Sequence, residues 1–143
     1  MVPSSSVRTI TRAAREGNPK PRIVRSARRA AIVNSMGMPN PGAEAAAVAL
    51  ARARRTAPRF VSVADEEVEA ASGAVELLAP HVEGFELNAS SPNAPWRHDA
   101  AHMSALLTAF RALTNLPVLL KLPPFTSGEE RTRVLDLARV AID

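Results

Sequence analysis

Residues 58–89, PRFVSVADEEVEAASGAVELLAPHVEGFELNA, decide the fold, because two short apolar runs flank one segment of helical periodicity. RFVSVA and EGFELNA are typical of strands, whereas EEVEAASGAVELLAP is typical of an amphipathic helix. Two strands joined by a single helix imply a right-handed crossover and parallel pairing. We therefore predict an α/β fold whose parallel sheet is covered by helices on both faces.

The same alternation continues on both sides of this unit. GAEAAAVALARARRTA before it predicts a helix, and the segments after it predict a helix, a strand and a helix: DAAHMSALLTAFRALT, PVLLKL and SGEERTRVLDLARVAI. Ser127 and Glu130 form a capping-box pattern, and Asp65 precedes two further acids at a predicted helix start. Nearer the N-terminus, SVRTIT is compatible with a strand, REGNPKPR is a loop, and RAAIVNSMGMPNPG is an apolar stretch that enters a turn. No linker divides the chain, so we expect one domain over residues 1–143.

Composition and charge exclude several classes of site and partner. The chain has 46% hydrophobic residues, three His and no Cys, which allows a globular core and excludes disulfides, thiolate metal sites and cysteine nucleophiles. The His residues lack ligand spacing with carboxylates, and no metal is expected. Residues 1–60 carry 12 Lys and Arg against two acids, whereas residues 61–143 carry six against 12. The basic half could bind phosphates or anionic lipid, but exposed arginines are ordinary, and the few aromatics argue against a nucleic-acid partner.

Four polar residues fall at or near the carboxyl ends of the predicted strands, where parallel α/β proteins bind ligands. They are Thr11, Ser62, Asn88 and Lys121. Lys121 lies in the apolar run PVLLKLPP, where burial of an ammonium is costly unless an anion or carbonyl groups meet it. Three alternatives are open for the ammonium of Lys121: it binds a ligand, it pairs with Glu86 on a neighbouring strand, or it reaches solvent beyond the strand end.

Two loops add groups suited to a planar polar ligand. GFELNASSPNAPW, residues 84–96, ends an apolar strand with four side chains that offer donors and acceptors: Asn88, Ser90, Ser91 and Asn93. NSMGMPNPG, residues 34–42, places Asn34 and Asn40 around Gly37. Both loops are also compatible with ordinary turns, because Asn and Ser beside Pro are common there for backbone reasons alone.

Four segments occur in the order and with the separations of the dihydroorotate dehydrogenase family: TITRAAREGNPKPRIVR, NSMGMPNPG, ELNASSPN and PVLLKLPP. The chain resembles this family over nearly its whole length, and its LNxSSPN and GNPKPR patterns are specific signals. The resemblance implies a (β/α)8 TIM barrel that uses FMN to oxidise dihydroorotate to orotate in pyrimidine biosynthesis. Because a complete barrel needs about 250 residues, it implies a partial barrel here, with impaired activity on its own.

The resemblance also implies roles for individual residues. Ser91 matches the catalytic base that removes a proton from C5 of dihydroorotate. The residues that match substrate contacts are Asn34, Met36, Gly37, Met38, Asn88 and Asn93. Those that match FMN contacts are Thr11, Ser62, Asn88 and Lys121. The charge of Lys121 would stabilise negative charge on the reduced cofactor.

Some residues depart from the family pattern. RTIT stands where GTVT is usual, and other segments mix features of the quinone-using and cytosolic classes, so a quinone or another oxidant is the electron acceptor. Without a visible secretory signal or membrane-spanning run, we expect a cytoplasmic protein, with a peripheral position on the cytoplasmic membrane as the alternative. A part barrel exposes strand edges and apolar inner side chains, which favours self-association or completion by another chain. The alternative function is a noncatalytic half-barrel that acts as a binding or assembly module.

Overall fold

Four parallel strands, each followed later in the chain by a helix, dominate the computed structural model, which describes residues 5–65, 67–91 and 99–142. The strands of this sheet are β1 (Ser5–Ile10), β4 (Arg59–Val63), β5 (Gly84–Asn88) and β6 (Val118–Lys121). The helices are α1 (Ala43–Arg52), α2 (Val68–Leu78), α3 (Ala100–Leu113) and α4 (Gly128–Val140). A separate antiparallel hairpin consists of β2 (Ile23–Ser26) and β3 (Ala31–Asn34).

The sheet has the order β1-β4-β5-β6, and each neighbouring pair is parallel. Sheet order therefore follows chain order once the hairpin is set aside, as expected for successive strand-helix units. The pairing of β1 with β4 shifts register between Val7 and Ile10, which marks a bulge or irregularity in β1. This alternation confirms the predicted α/β fold with parallel strands.

The apolar core lies between one face of the sheet and the helices. The strand residues on this face are fully buried and alternate with residues of the other face, as the period of two requires: Val61, Val63, Phe85 and Leu87. Buried residues of all four helices belong to the same cluster. The rings of Phe85 and Phe110 meet edge to face, with centroids 6.2 Å apart. This layer fixes β5 against α3.

The other side of the sheet is the inner face, formed by Phe60, Ser62, Gly84, Glu86, Asn88, Leu119 and Lys121. Phe60 lies over Gly84, where a Cβ would stand 2.3 Å from the ring, so only glycine fits beneath it. Leu119 is 55% exposed on this face. The expectation of helices on both faces is wrong for the described residues. On the inner face, about every second residue has a polar side chain. The apolar face of a helix packed there would leave these polar groups without hydrogen-bond partners.

The chain between β1 and α1 forms an excursion that carries the hairpin. Two backbone hydrogen bonds of 2.9 Å between Arg15 and Asn40 close its base. The large aliphatic residues of the hairpin are 54–69% exposed: Ile23, Val24, Ile32 and Val33. The sequence predicted a loop and a turn here, and the hairpin was missed. Its strands are apolar without being buried, so no alternation of apolar and polar residues marked them.

Helix boundaries follow the predicted starts in one case and not in another. The capping box of α4 is confirmed, since Ser127 Oγ accepts from the Glu130 N–H and the Glu130 carboxylate accepts from the Ser127 N–H, both at 3.2 Å. Asp65 does not cap α2, which begins after Glu67 without a side-chain cap. The Asp65 carboxylate instead accepts a 2.7 Å hydrogen bond from the backbone N–H of Arg12. None of the described helices has the length and apolar character needed to cross a bilayer.

Candidate functional site

Polar side chains converge at the carboxyl ends of β1, β4 and β5. Thr9 Oγ1 lies 3.1 Å from Ser62 Oγ and accepts a 3.0 Å hydrogen bond from Asn88 Nδ2. Ser62 and Asn88 are buried, so these bonds satisfy groups that water does not reach. Three strands are therefore tied together at one edge of the sheet by side chains that are far apart in the sequence.

Asn88 extends this network into the loop that follows β5. Its Oδ1 accepts hydrogen bonds of 3.1 Å from the backbone N–H of Ser90 and 2.8 Å from the Ser90 hydroxyl. The amide therefore bonds to β1 through its nitrogen and to its own loop through its oxygen. Beyond this turn, Ser91 lines a cavity beside β1. Asn88 thus supports the backbone that carries Ser91.

Asn40 joins the end of β1 to the loop before α1. Its Oδ1 accepts from the backbone N–H groups of Thr11 at 3.2 Å and Gly42 at 2.9 Å. Its Nδ2 donates to Thr11 Oγ1 and to the Met38 carbonyl, both at 2.9 Å. Asn40 and Thr11 are both buried. One amide therefore holds residues 38–42 against the strand end through four hydrogen bonds.

Residues 35–39, which follow β3, form a tightly bent loop next to this junction. Gly37 and Met38 have positive φ angles of 72° and 54°. A Cβ on Gly37 would lie 2.5 Å from the backbone nitrogen of Asn18, so glycine is required by both conformation and space. Asn18 also donates from its backbone N–H to the Met36 carbonyl at 3.0 Å and from Nδ2 to Ser35 Oγ at 2.9 Å. The loop is therefore held on both sides.

A cavity of about 650 Å³ opens between this loop, the end of β1 and the loop after β5. The described residues that line it combine a cation, several hydroxyl and amide groups and apolar side chains: Arg8, Thr9, Asn34, Ser35, Met36, Gly37, Met38, Pro39 and Ser91. The volume lies in the range of small-molecule sites. Apolar side chains together with a few polar groups suit a flat ligand that carries hydrogen-bonding groups on its rim.

Lys121 and Glu86 form an ion pair on the inner face, with Nζ and Oε1 2.9 Å apart. Their side chains are 42% and 22% exposed. Pairing with Glu86, one of the alternatives open from the sequence, is therefore confirmed. Lys121 is also the register partner of Asn88. Because an ammonium has three donors and this one is partly exposed, the ion pair leaves Lys121 able to meet a ligand as well.

Comparison with known proteins identifies the family. The family model of dihydroorotate dehydrogenase matches residues 2–142. The chain belongs to the dihydroorotate dehydrogenase family. The quinone dihydroorotate dehydrogenases of Mycobacterium bovis (strain BCG / Pasteur 1173P2) and Mycolicibacterium vanbaalenii are each 35% identical to it over 144 residues. These alignments cover 94% of this chain and 40% and 41% of the two relatives.

Two solved structures have a fold similar to that of this chain. Crystal structures of DHODH from Eimeria tenella, with ferulenol and without ligand, match with TM-scores of 0.79 and 0.80 at 22% identity. The matches cover 97% of this chain and 46% and 48% of those chains. The chain spans less than half the length of these dihydroorotate dehydrogenases. Its fold is a partial α/β barrel, as the sequence predicted.

The structure brings most of the predicted site residues to one edge of this barrel segment. Those that line the cavity are Asn34, Met36, Gly37, Met38 and Ser91. Thr11, Ser62 and Asn88 lie beneath the same edge, buried and hydrogen-bonded within the protein. Lys121 lies beside Asn88, and Asn93 falls outside the described residues. Their contacts with substrate or cofactor in a dihydroorotate dehydrogenase stay predictions.

Arg8 and Thr9 belong to this site and were not among the predicted site residues. The register shift in β1 lies between Val7 and Ile10, so regular alternation in the sequence does not show that Thr9 meets Ser62. The sequence placed Asn40 in a loop suited to a ligand or to a turn, and the structure shows it bonded within the protein. No group of three or more His, Asp or Glu side chains in the described parts of the chain is placed to hold a metal ion.

Proposed function

We propose that this chain is part of an FMN-dependent dihydroorotate dehydrogenase, which oxidises dihydroorotate to orotate in pyrimidine biosynthesis. The observation that carries the proposal is that one cavity is lined by residues from separate parts of the chain, Asn34, Met36, Gly37, Met38 and Ser91. The resemblance implies substrate contacts for the first four and the catalytic base for Ser91. Membership of the family supports the same reaction class.

The residues at the strand ends suit FMN as the cofactor. Its ring system presents carbonyl and nitrogen groups, and this edge supplies hydroxyls, amides and one ammonium as complementary groups. Lys121 is the partly exposed cation that would hold the ring, with its position set by Glu86. Thr11, Ser62 and Asn88 are buried, so in this arrangement they shape and stiffen the floor of the site. When bound, FMN supplies the hydride acceptor.

In this proposal, substrate is held and deprotonated by the loop after β5 and the loop before α1. The Asn34 amide pairs with ring or carboxylate oxygens, since one planar head offers both donors and acceptors. Met36 and Met38 supply the apolar side that excludes water from a flat ring. Ser91 Oγ takes the proton from C5. A hydroxyl is a weak base, so its proton passes on to water or a neighbouring polar group.

A quinone is the proposed electron acceptor, because the relatives quoted above are named dihydroorotate dehydrogenase (quinone). A cytoplasmic position with peripheral contact to the membrane follows from a lipid-soluble acceptor. A second candidate is a noncatalytic assembly module, favoured by Leu119, which is 55% exposed on the inner face. Mass measurement in solution separates this candidate, because it requires association with a second copy or another chain.

Flavin binding tests the proposal with a matched pair of variants. The chain contains two lysines, Lys121 at the site and Lys20 on an exposed loop. Titration of FMN, followed by quenching of flavin fluorescence, should show saturable binding. Lys121→Met should weaken it about five-fold, equivalent to about 1 kcal/mol for a partly exposed charge. Lys20→Met should leave it unchanged.

Equal FMN affinities of the two variants would contradict the cofactor assignment.

Reduction of the bound flavin tests the role of Ser91. Dihydroorotate should bleach the flavin absorbance of the FMN-loaded chain slowly, because we expect the isolated segment to turn over poorly. Ser91→Ala should slow this bleaching far more than it weakens orotate binding, since it removes a proton acceptor. Equal losses in both would contradict the role of Ser91.

A further inference from the structure

Arg8 brings a positive charge to the cavity at the end of β1. Among the described residues that line the cavity, it is the one with a charged side chain. Its side chain is exposed, and in the described residues it makes no hydrogen bond or ion pair. Nearby arginines are engaged differently: Arg12 pairs with Glu44 at 3.1 Å, and Arg22 donates to the carbonyls of Glu16 and Asn18. The guanidinium of Arg8 is therefore available to a ligand.

The surroundings of Arg8 define the chemistry of that ligand. Hydroxyl and amide groups of Thr9, Asn34 and Ser91 share the cavity with it, and none of the lining residues within 5–65, 67–91 and 99–142 carries a carboxylate. Met36 and Met38 add apolar groups to the lining. A guanidinium presents a planar fork of donors that matches a carboxylate. The cavity is thus suited to a small flat ring bearing an anionic group.

We propose that Arg8 is a specificity-determining residue that recognises the carboxylate of the substrate ring. This inference rests on the proposed function and adds a residue that the family pattern does not supply, since Arg8 of RTIT stands where GTVT has Gly. The hydroxyl and amide groups orient the ring, and Arg8 selects ring systems with a carboxylate over the same ring without one. The alternative anion that Arg8 could bind at this site is the phosphate of FMN.

Orotate and uracil provide a matched pair of probes, because they share a ring and differ by the carboxylate. Their binding is measured by calorimetry on the FMN-saturated chain and on the chain alone. Arg8→Gln should weaken orotate about 10-fold, as expected for loss of a charge-assisted hydrogen bond, and leave uracil unchanged. Arg8→Lys should restore part of the preference. Arg28→Gln, on the exposed turn of the hairpin, is the control and should change neither ligand.

Three results would overturn the inference. The first is no preference of the wild-type chain for orotate over uracil, including no binding of either. The second is an equal effect of Arg8→Gln on both ligands, which would indicate general damage to the cavity. The third is a selective loss of FMN relative to riboflavin in Arg8→Gln, which would assign Arg8 to the cofactor phosphate. Failure of the proposed function shows separately, as absence of saturable FMN binding in the wild type.

Discussion

Asn40→Ala should destabilise the protein more than any other single change of a polar residue at the site. The substitution removes four hydrogen bonds from a residue that is 9% exposed. At about 1 kcal/mol for each bond, the free energy of unfolding should fall by about 4 kcal/mol. The backbone N–H of Thr11, which is buried, would also be left without its acceptor. This is a large share of the 5–15 kcal/mol or so that stabilises an ordinary domain.

Urea unfolding followed by circular dichroism measures this loss. With a slope of about 2 kcal/mol per molar urea, the midpoint should fall by about 2 M. Asn18→Ala is the matched control, because Asn18 Nδ2 also donates two bonds, to the Ser35 carbonyl and hydroxyl, but in an exposed setting where water replaces them. Its midpoint should fall by under about 0.5 M. Equal shifts for the two variants would refute the reasoning that burial makes Asn40 the junction between β1 and its loop.

Two further pairs of variants test the core and the loop by the same measurement. Phe85→Ala should cost about 3–5 kcal/mol, because Phe85 is fully buried against another ring, whereas Phe125→Ala, at a side chain 48% exposed, should cost under about 1 kcal/mol. A small loss at Phe85 would contradict the assigned core. Gly37→Ala should cost about 1–3 kcal/mol and weaken orotate binding, because φ is 72° and the new methyl group meets a backbone nitrogen at 2.5 Å. Gly128→Ala is the control, because a Cβ there would have no atom within 4 Å, and it should change neither stability nor orotate binding. If Gly37→Ala also changed neither, the loop would not be held as described.

The periodicity of the sequence predicted the strand-helix alternation because burial imposes it. β4, β5 and α2 alternate apolar and polar residues with the period of their structure, and all three lie where that period indicates. The hairpin of β2 and β3 was missed for the same reason, since its aliphatic residues remain exposed and no period marks them. The capping box of Ser127 was predictable because it is purely local.

Contacts between distant segments were predictable only as a position at the edge of the sheet. Thr11, Ser62, Asn88 and Lys121 were assigned to strand ends, and that placement is correct. What each side chain bonds to depended on register. The shift within β1 decides that Thr9 bonds to Ser62 and Asn88, and no local pattern encodes it. Asp65 shows the same limit, since its carboxylate bonds to the backbone N–H of Arg12, 53 residues away and just after β1, and does not cap the helix it precedes.

Residues 8–9, residues 34–39 and Ser91 line one cavity at the carboxyl edge of the sheet, which we propose as the ligand site. Titration of orotate into the isotope-labelled, FMN-saturated chain, followed by backbone amide chemical shifts, is the decisive test. We expect the largest shift changes to fall in these three segments and the amides of α4 to stay unchanged. Changes confined to one segment, or spread over the helices, would contradict it.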